Sequence, residues 1–231
     1  MNKIKKIALF IILFMGMALF PYIPLELFHV NLDNLSQNMK ILYNFVCDVG
    51  FMIIILMVYD KRNITEFKDY LKNFKKYIKE SLIYYIIGLI LMYVSNIILA
   101  TYASEAMANN DVAVKNLIDL YPLYMFFSTF IYAPVVEETI FRRSIKDIFL
   151  AFGDSKFIKY LYIIFSGLLF SSMHVLGMVN NSLDYLYIIP YLAVGISFAA
   201  LYYKTDNLFT TITMHALHNA LAIILYLLVG V

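Results

Sequence analysis

Long apolar runs, separated by shorter polar stretches, account for most of the chain. A helix needs about 20 apolar residues to cross the hydrocarbon core of a bilayer. Runs of that size fall at roughly 6–28, 41–59, 82–103, 121–141, 158–179, 184–203 and 207–229. The pattern predicts an all-α fold, a polytopic membrane bundle of about seven transmembrane helices. The first run resembles the start of a secretory signal, with Lys3, Lys5 and Lys6 ahead of Ile7 to Phe20. No small-x-small cleavage site follows, and Pro21, Tyr22 and Pro24 lead into more apolar sequence, so an uncleaved first span is expected.

The polar stretches divide by sign. The N-terminal tail carries three lysines, and the second connection holds Lys61, Arg62, Lys68, Lys72, Lys75, Lys76 and Lys79. The fourth holds Arg142, Arg143, Lys146, Lys156 and Lys159, and the sixth has Lys204. The alternate connections contain only Lys40 and Lys115, beside Asp33, Glu105, Asp111, Asp119 and Asp184. Basic loops mark the cytoplasmic side, which predicts a cytoplasmic N-terminus, an outside C-terminus and an odd number of spans. Between Lys61 and Lys79, Phe67, Tyr70, Leu71, Phe74 and Ile78 recur at helical spacing. That segment reads first as a cytoplasmic linker, with a lipid-surface helix as the alternative.

Composition agrees with a membrane protein. Of 231 residues, 62% are hydrophobic and 15% charged, with a mean hydropathy of +0.76, against about 45–50% and about 25% in soluble domains. The net charge of +2 adds little. Cys47 is the single cysteine, which excludes an intramolecular disulfide and a thiolate metal cluster; it is expected to be an apolar filler. No repeat, low-complexity segment or nucleic-acid-binding module is visible.

The informative residues are polar ones within these runs. Glu137 and Glu138 stand side by side in Phe130-Ile-Tyr-Ala-Pro-Val-Val-Glu-Glu-Thr-Ile-Phe-Arg-Arg143. A carboxylate at the centre of a membrane helix costs roughly 2.5–3.5 kcal/mol on insertion scales, so an adjacent pair requires a partner charge, a cavity or a reaction. Residues four apart share a helix face, so Glu138 pairs with Arg142, while Glu137 points about 100° away. A carboxylate without a fixed partner in a low dielectric has the properties of a general base. Pro134 removes a helix hydrogen bond just before the pair. The bland reading ends the helix near Val136 and leaves both glutamates at the interface.

Two later runs add polar groups. His174 closes Phe170-Ser-Ser-Met-His174, and read alone it is a packing histidine as readily as a functional one, with Ser171 and Ser172 as local polar neighbours. The last run contains Thr210-Thr-Ile-Thr-Met-His215-Ala-Leu-His218-Asn219. His215 and Asn219, one turn apart, are placed to donate two hydrogen bonds to one oxyanion, and His218 borders the same face. A free carboxylate, a histidine to share a water and two oxyanion donors are the parts needed for hydrolysis of a peptide bond.

Glu137-Glu138-x-x-x-Arg142, Phe170-x-x-x-His174 and His215-x-x-x-Asn219, in that order on separate spans, resemble the CAAX protease and bacteriocin-processing (Abi) family, related to the type II CAAX prenyl endopeptidases. The resemblance covers about residues 120–220, so the domain reading is basic-looped N-terminal helices over 1–115 and a protease core over 120–229. It implies an intramembrane endopeptidase with a cavity among the C-terminal helices. It also implies that Glu137 and His174 activate water, that His215 and Asn219 bind the oxyanion, and that Glu138 and Arg142 support the base. No HExxH is present, so no cofactor is the preferred expectation; zinc held by Glu137, His174 and His215, with an open position, is the alternative. The implied substrate is a peptide or protein at the membrane: a CAAX-type C-terminal tail, or in bacteria a pheromone or bacteriocin precursor. The AT-rich style of the composition favours a bacterial cell membrane.

Straight spans at about 1.5 Å per residue leave a difficulty: His174 falls roughly 20 Å deeper than Glu137. Two other functions stay open, a non-catalytic bacteriocin-immunity membrane protein and a proton-coupled transporter. Asp48 and Asn96 are expected to bond across helices, His29 to be interfacial, and many of the tyrosines to form interfacial belts.

Overall fold

The computed structural model describes residues 2–102, 118–175 and 184–229. Among them no strand occurs, and the chain is a bundle of helices: α1 (Lys3–Leu19), α2 (Tyr22–Phe28), α3 (Gln37–Val58), α4 (Asp60–Lys72), α5 (Phe74–Tyr102), α6 (residues 122–150), α7 (Lys156–Val175), α8 (Ile188–Thr205) and α9 (Leu208–Val229). Glu105, Asp111 and Lys115, and the end of the run expected to reach 179, lie outside the described residues.

By length and composition, five of the described helices are fit to cross a membrane: α3, α5, α7, α8 and α9. The pair α1–α2 makes a sixth if counted as one span, although it bends by 69°. Pro21 causes the bend, because it has no N–H to continue the ladder of α1; its carbonyl accepts from the Tyr43 hydroxyl on α3. The expected fourth span, 121–141, differs most from expectation. It forms one helical path, α6, but two π-helical stretches interrupt it, and it continues to Leu150. Arg142, Arg143 and Lys146 therefore do not lie in a connecting loop. All three are buried within α6.

Helix α6 is packed on two sides. Val136 and Ile140 join Leu13, Phe51 and Ile55 of α1 and α3 in one apolar cluster. Phe141 and Ile145 join Tyr162, Phe170, Ala199, Tyr202 and Leu208 of α7, α8 and α9 in another. Helices α7 and α8 meet at glycines: a methyl group on Gly167 would lie 2.7 Å from Ile196 Cγ1 and 3.0 Å from its amide nitrogen. Small residues permit such backbone approach in membrane bundles. Between α8 and α9 the chain reverses within two residues, with Asp206 in the left-handed region at φ 48.

Helix α4 is more than the linker expected. It lies against the end of the bundle, with Glu66 and Tyr70 buried. Glu66 accepts from Arg62, from Arg143 on α6 and from the Leu208 N–H that opens α9, each at 2.7 Å.

Candidate active site

The π-helical stretches have a local cause that bears on the site. The Ala133 N–H bonds to Ser128 O, five residues back. In that register the next donor would belong to residue 134, a proline with no N–H. Thr129 O is left without a backbone donor and accepts instead from Asn219 Nδ2 of α9 at 2.7 Å. Pro134 thus creates the acceptor that fixes the Asn219 amide. In the second stretch, Glu138–Ser144, the Ser144 hydroxyl donates to Thr139 O at 3.1 Å. Such π interruptions recur at functional sites because they change which side chains face inward.

The expected pairing of Glu138 with Arg142 is present, and both side chains have no exposed surface. Arg142 Nε donates to Glu138 Oε2 at 2.9 Å and Nη1 to Ser166 Oγ at 3.1 Å. Ser166 passes its own proton to Phe141 O at 2.7 Å, and the guanidinium lies 4.5 Å over the Phe170 ring. Glu138 Oε1 also bonds His215 Nδ1 at 2.9 Å. An ionised carboxylate only accepts, so Nδ1 carries the hydrogen and Nε2 is the nitrogen presented to the site.

Glu137 is arranged differently. Its Oε2 is buried yet hydrogen-bonds to no protein group. It sits 3.8 Å from His174 Nε2 and 4.0 Å from His215 Nε2. Both separations exceed a direct hydrogen bond and suit contact through a water. His174 Nδ1 donates to Phe170 O at 2.9 Å, which turns Nε2 toward Glu137; Phe170 and Tyr191 hold the ring at centroid distances of 4.4 and 5.0 Å. The structure therefore brings together Glu137, Glu138, Arg142, His174 and His215, with Asn219 one turn further along α9.

The depth mismatch resolves through the true length of α6. Leu150, not residue 141, marks the end that joins α7, and it lies about 20 Å beyond Glu137 at 1.5 Å per residue. Glu137 and His174 are then both deep, measured from the same connection. The assumed helix end was wrong because a run of hydropathy stops at a charge, and Arg142 and Arg143 are charges that the fold buries.

Other polar residues lie around this group. His218 Nδ1 is 3.5 Å from the Tyr85 hydroxyl on α5, and the ring is within electrostatic range of His215 and His174. Asp48 accepts from Tyr124 at 3.0 Å, a bond between α3 and α6. Ser171 donates to Leu168 O, so the local partner of His174 is a backbone carbonyl and not a serine. Cys47 is buried and free. Sequence reasoning missed Ser166, which holds Arg142, and Glu66, which holds Arg143. Neither has a periodic relation to its arginine. Among the described residues no group of three His, Cys, Asp or Glu side chains is placed closely enough to hold a metal ion as it stands.

Residues 119–221 match the family model of the type II CAAX prenyl endopeptidase Rce1-like proteins. No curated protein and no solved structure matches the chain significantly. The matched segment runs from α6 into α9 and contains every residue of the buried Glu–His group, so residues 119–221 form an Rce1-like domain, similar to the type II CAAX prenyl endopeptidases.

Proposed function

We propose that this protein is an intramembrane endopeptidase in which Glu137 activates water for attack on a peptide bond. One observation carries the reading: a buried carboxylate oxygen without a protein hydrogen bond, facing the Nε2 atoms of two histidines at 3.8 and 4.0 Å. A water hydrogen-bonded to Glu137 Oε2 and His174 Nε2 loses its proton to the carboxylate as its oxygen adds to the carbonyl carbon. The carbonyl oxygen becomes an oxyanion. His215, held at Nδ1 by Glu138, faces that oxygen through Nε2. Asn219 donates its second amide hydrogen, the first being held by Thr129 O. The proton taken by Glu137 passes to the leaving nitrogen as the C–N bond breaks, giving a carboxylic acid and an amine. Glu138 and Arg142 orient His215, so they act through it.

The substrate is a peptide or protein segment at the membrane, of the CAAX-tail type or, in a bacterial cell, a pheromone or bacteriocin precursor. The proposed topology has the N-terminus in the cytoplasm and the C-terminus outside, following the lysine and arginine asymmetry.

Cleavage of candidate peptides by the purified protein tests this. Glu137→Gln and His174→Ala should each lower turnover by roughly 10²–10⁴-fold, the usual share of a general base, at unchanged thermal stability, and chelators should have no effect. Full activity in Glu137→Gln would refute the mechanism. Activity removed by chelator and restored by zinc would replace carboxylate activation with metal activation.

A further inference from the structure

Helix α4 is amphipathic in the reverse of the usual sense. Its charged and polar face is turned into the protein, where Glu66 and Tyr70 are buried and Glu66 is fully hydrogen-bonded. Asp69 also turns inward, bonded by Tyr77 and Asn207. Its apolar face points outward: Ile64, Phe67 and Leu71, continued by Phe74 at the start of α5, are 55%, 46%, 56% and 48% exposed. Ile64, Phe67 and Leu71 step by three and four, so they form one stripe on α4, and Phe74 adds an exposed ring just past its end. Lys61, Lys68, Lys72 and Lys75 are exposed beside it; among the described residues none of them forms a salt bridge, and Lys72 acts on the Asp69 carboxylate only at longer range. Exposed apolar area of this size is unfavourable in water.

The ends of α4 show what covers the stripe. Val58, the last residue of α3, and Phe74, the first of α5, flank the helix within two residues on each side. Both α3 and α5 are membrane-crossing helices by length and composition, which confines α4 to the bilayer boundary. A bilayer surface there meets an apolar stripe with a row of ammonium groups at its edge. Charge complementarity makes that surface anionic.

We infer that α4 is an interfacial helix that seats its Ile64–Phe67–Leu71 stripe, with Phe74, in the membrane surface and selects anionic phospholipid headgroups through Lys61, Lys68, Lys72 and Lys75. The inference does not depend on the protease reading. Each lysine near an anionic surface strengthens association roughly fivefold.

The chain has no tryptophan, so Leu71→Trp introduces a single fluorescent reporter on the stripe, with Ile64→Trp as a second reporter in case the first variant folds poorly. Ile90→Trp, on the exposed face of α5, serves as the insertion control. The full-length protein is placed in mixed phosphatidylcholine–phosphatidylglycerol vesicles in which one lipid or the other carries chain bromines. Quenching of the α4 reporter should be at least about twofold stronger from brominated phosphatidylglycerol than from brominated phosphatidylcholine. Changing all four lysines to glutamine should equalise the two lipids while quenching persists. If neither lipid quenches an α4 reporter while Ile90→Trp is quenched, water or protein covers the stripe and the inference fails. Equal quenching by both lipids with the lysines intact would overturn the anionic selection. The readout is independent of peptide cleavage, so it stands or falls separately from the proposed activity.

Discussion

Arg142 and Arg143 are neighbours in sequence, and both are completely buried, yet they serve different parts of the molecule. Arg142 reaches back one turn to Glu138, which bonds His215; that cluster sits beside Glu137 and His174. Arg143 points to the other side and meets Glu66 of α4, whose carboxylate also takes the first N–H of α9. Each arginine therefore links α6 to α9 through a glutamate, one at His215 and one two turns earlier at Leu208. The first link fixes the His215 ring beside Glu137, the group proposed to activate water. The second fixes the axial position of the helix that carries it. Burying a charge is tolerated only when it is paired and hydrogen-bonded, and the same rule here holds both the Glu–His cluster and the start of α9 in place.

The largest expected effects come from breaking either pair outright. Glu66→Ala and Glu138→Ala each strand a buried arginine and should each cost about 3–5 kcal/mol of stability, read from denaturant or thermal unfolding in detergent. A loss below about 1 kcal/mol for Glu66→Ala would mean that Arg143 finds solvent and that the second link is weak.

Milder changes should separate the two roles. Glu138→Gln should lower peptide cleavage by about 100-fold or more, because His215 loses the carboxylate that holds its Nδ1. Glu66→Gln keeps an acceptor for the Leu208 N–H and should lower cleavage by less than about tenfold. Equal losses in steady-state kinetics would erase the distinction between the links.

Next in size is Gly167→Ala, which forces α7 away from Ile196 two turns before His174. Overpacking should cost about 1–3 kcal/mol and reduce turnover more than substrate binding, seen as a fall in kcat at near-constant KM. The smallest effect concerns Asp69 of α4, where it meets α5 and the start of α9. The Tyr77 hydroxyl, with Asn207 and Asn73, holds the Asp69 carboxyl below its ordinary value. Its contribution is fully present above the unfolded value and is lost as pH falls through the lowered one. The gap in melting temperature between the native protein and Asp69→Asn should thus be widest near neutral pH and close in acid.

Much of this was legible from the chain because it is local. Spans follow from hydropathy, and the Glu138–Arg142 pair follows from helical periodicity. The order of three polar motifs pointed to the CAAX protease family. What remained hidden involves partners far apart in sequence. Glu66 and Arg143 are separated by 77 positions, and no spacing rule connects them. The end of α6 was misplaced for a related reason, since two buried arginines read as loop charges when their partners are unknown. Pro134 marks a helix interruption in the sequence, but that the freed Thr129 carbonyl holds Asn219 depends on α9 lying alongside.

The sequence by itself determined the membrane class, the candidate residues and the unequal partners of two adjacent glutamates, because each depends on the covalent order and a 3.6-residue turn. Only the tertiary structure decided that Glu137 Oε2, His174 Nε2 and His215 Nε2 converge, that α4 turns its polar face inward, and that α6 runs deep enough to bring Glu137 to His174. Those facts depend on how helices slide and rotate against one another, and that is set by buried ion pairs and close glycine contacts between distant parts of the chain.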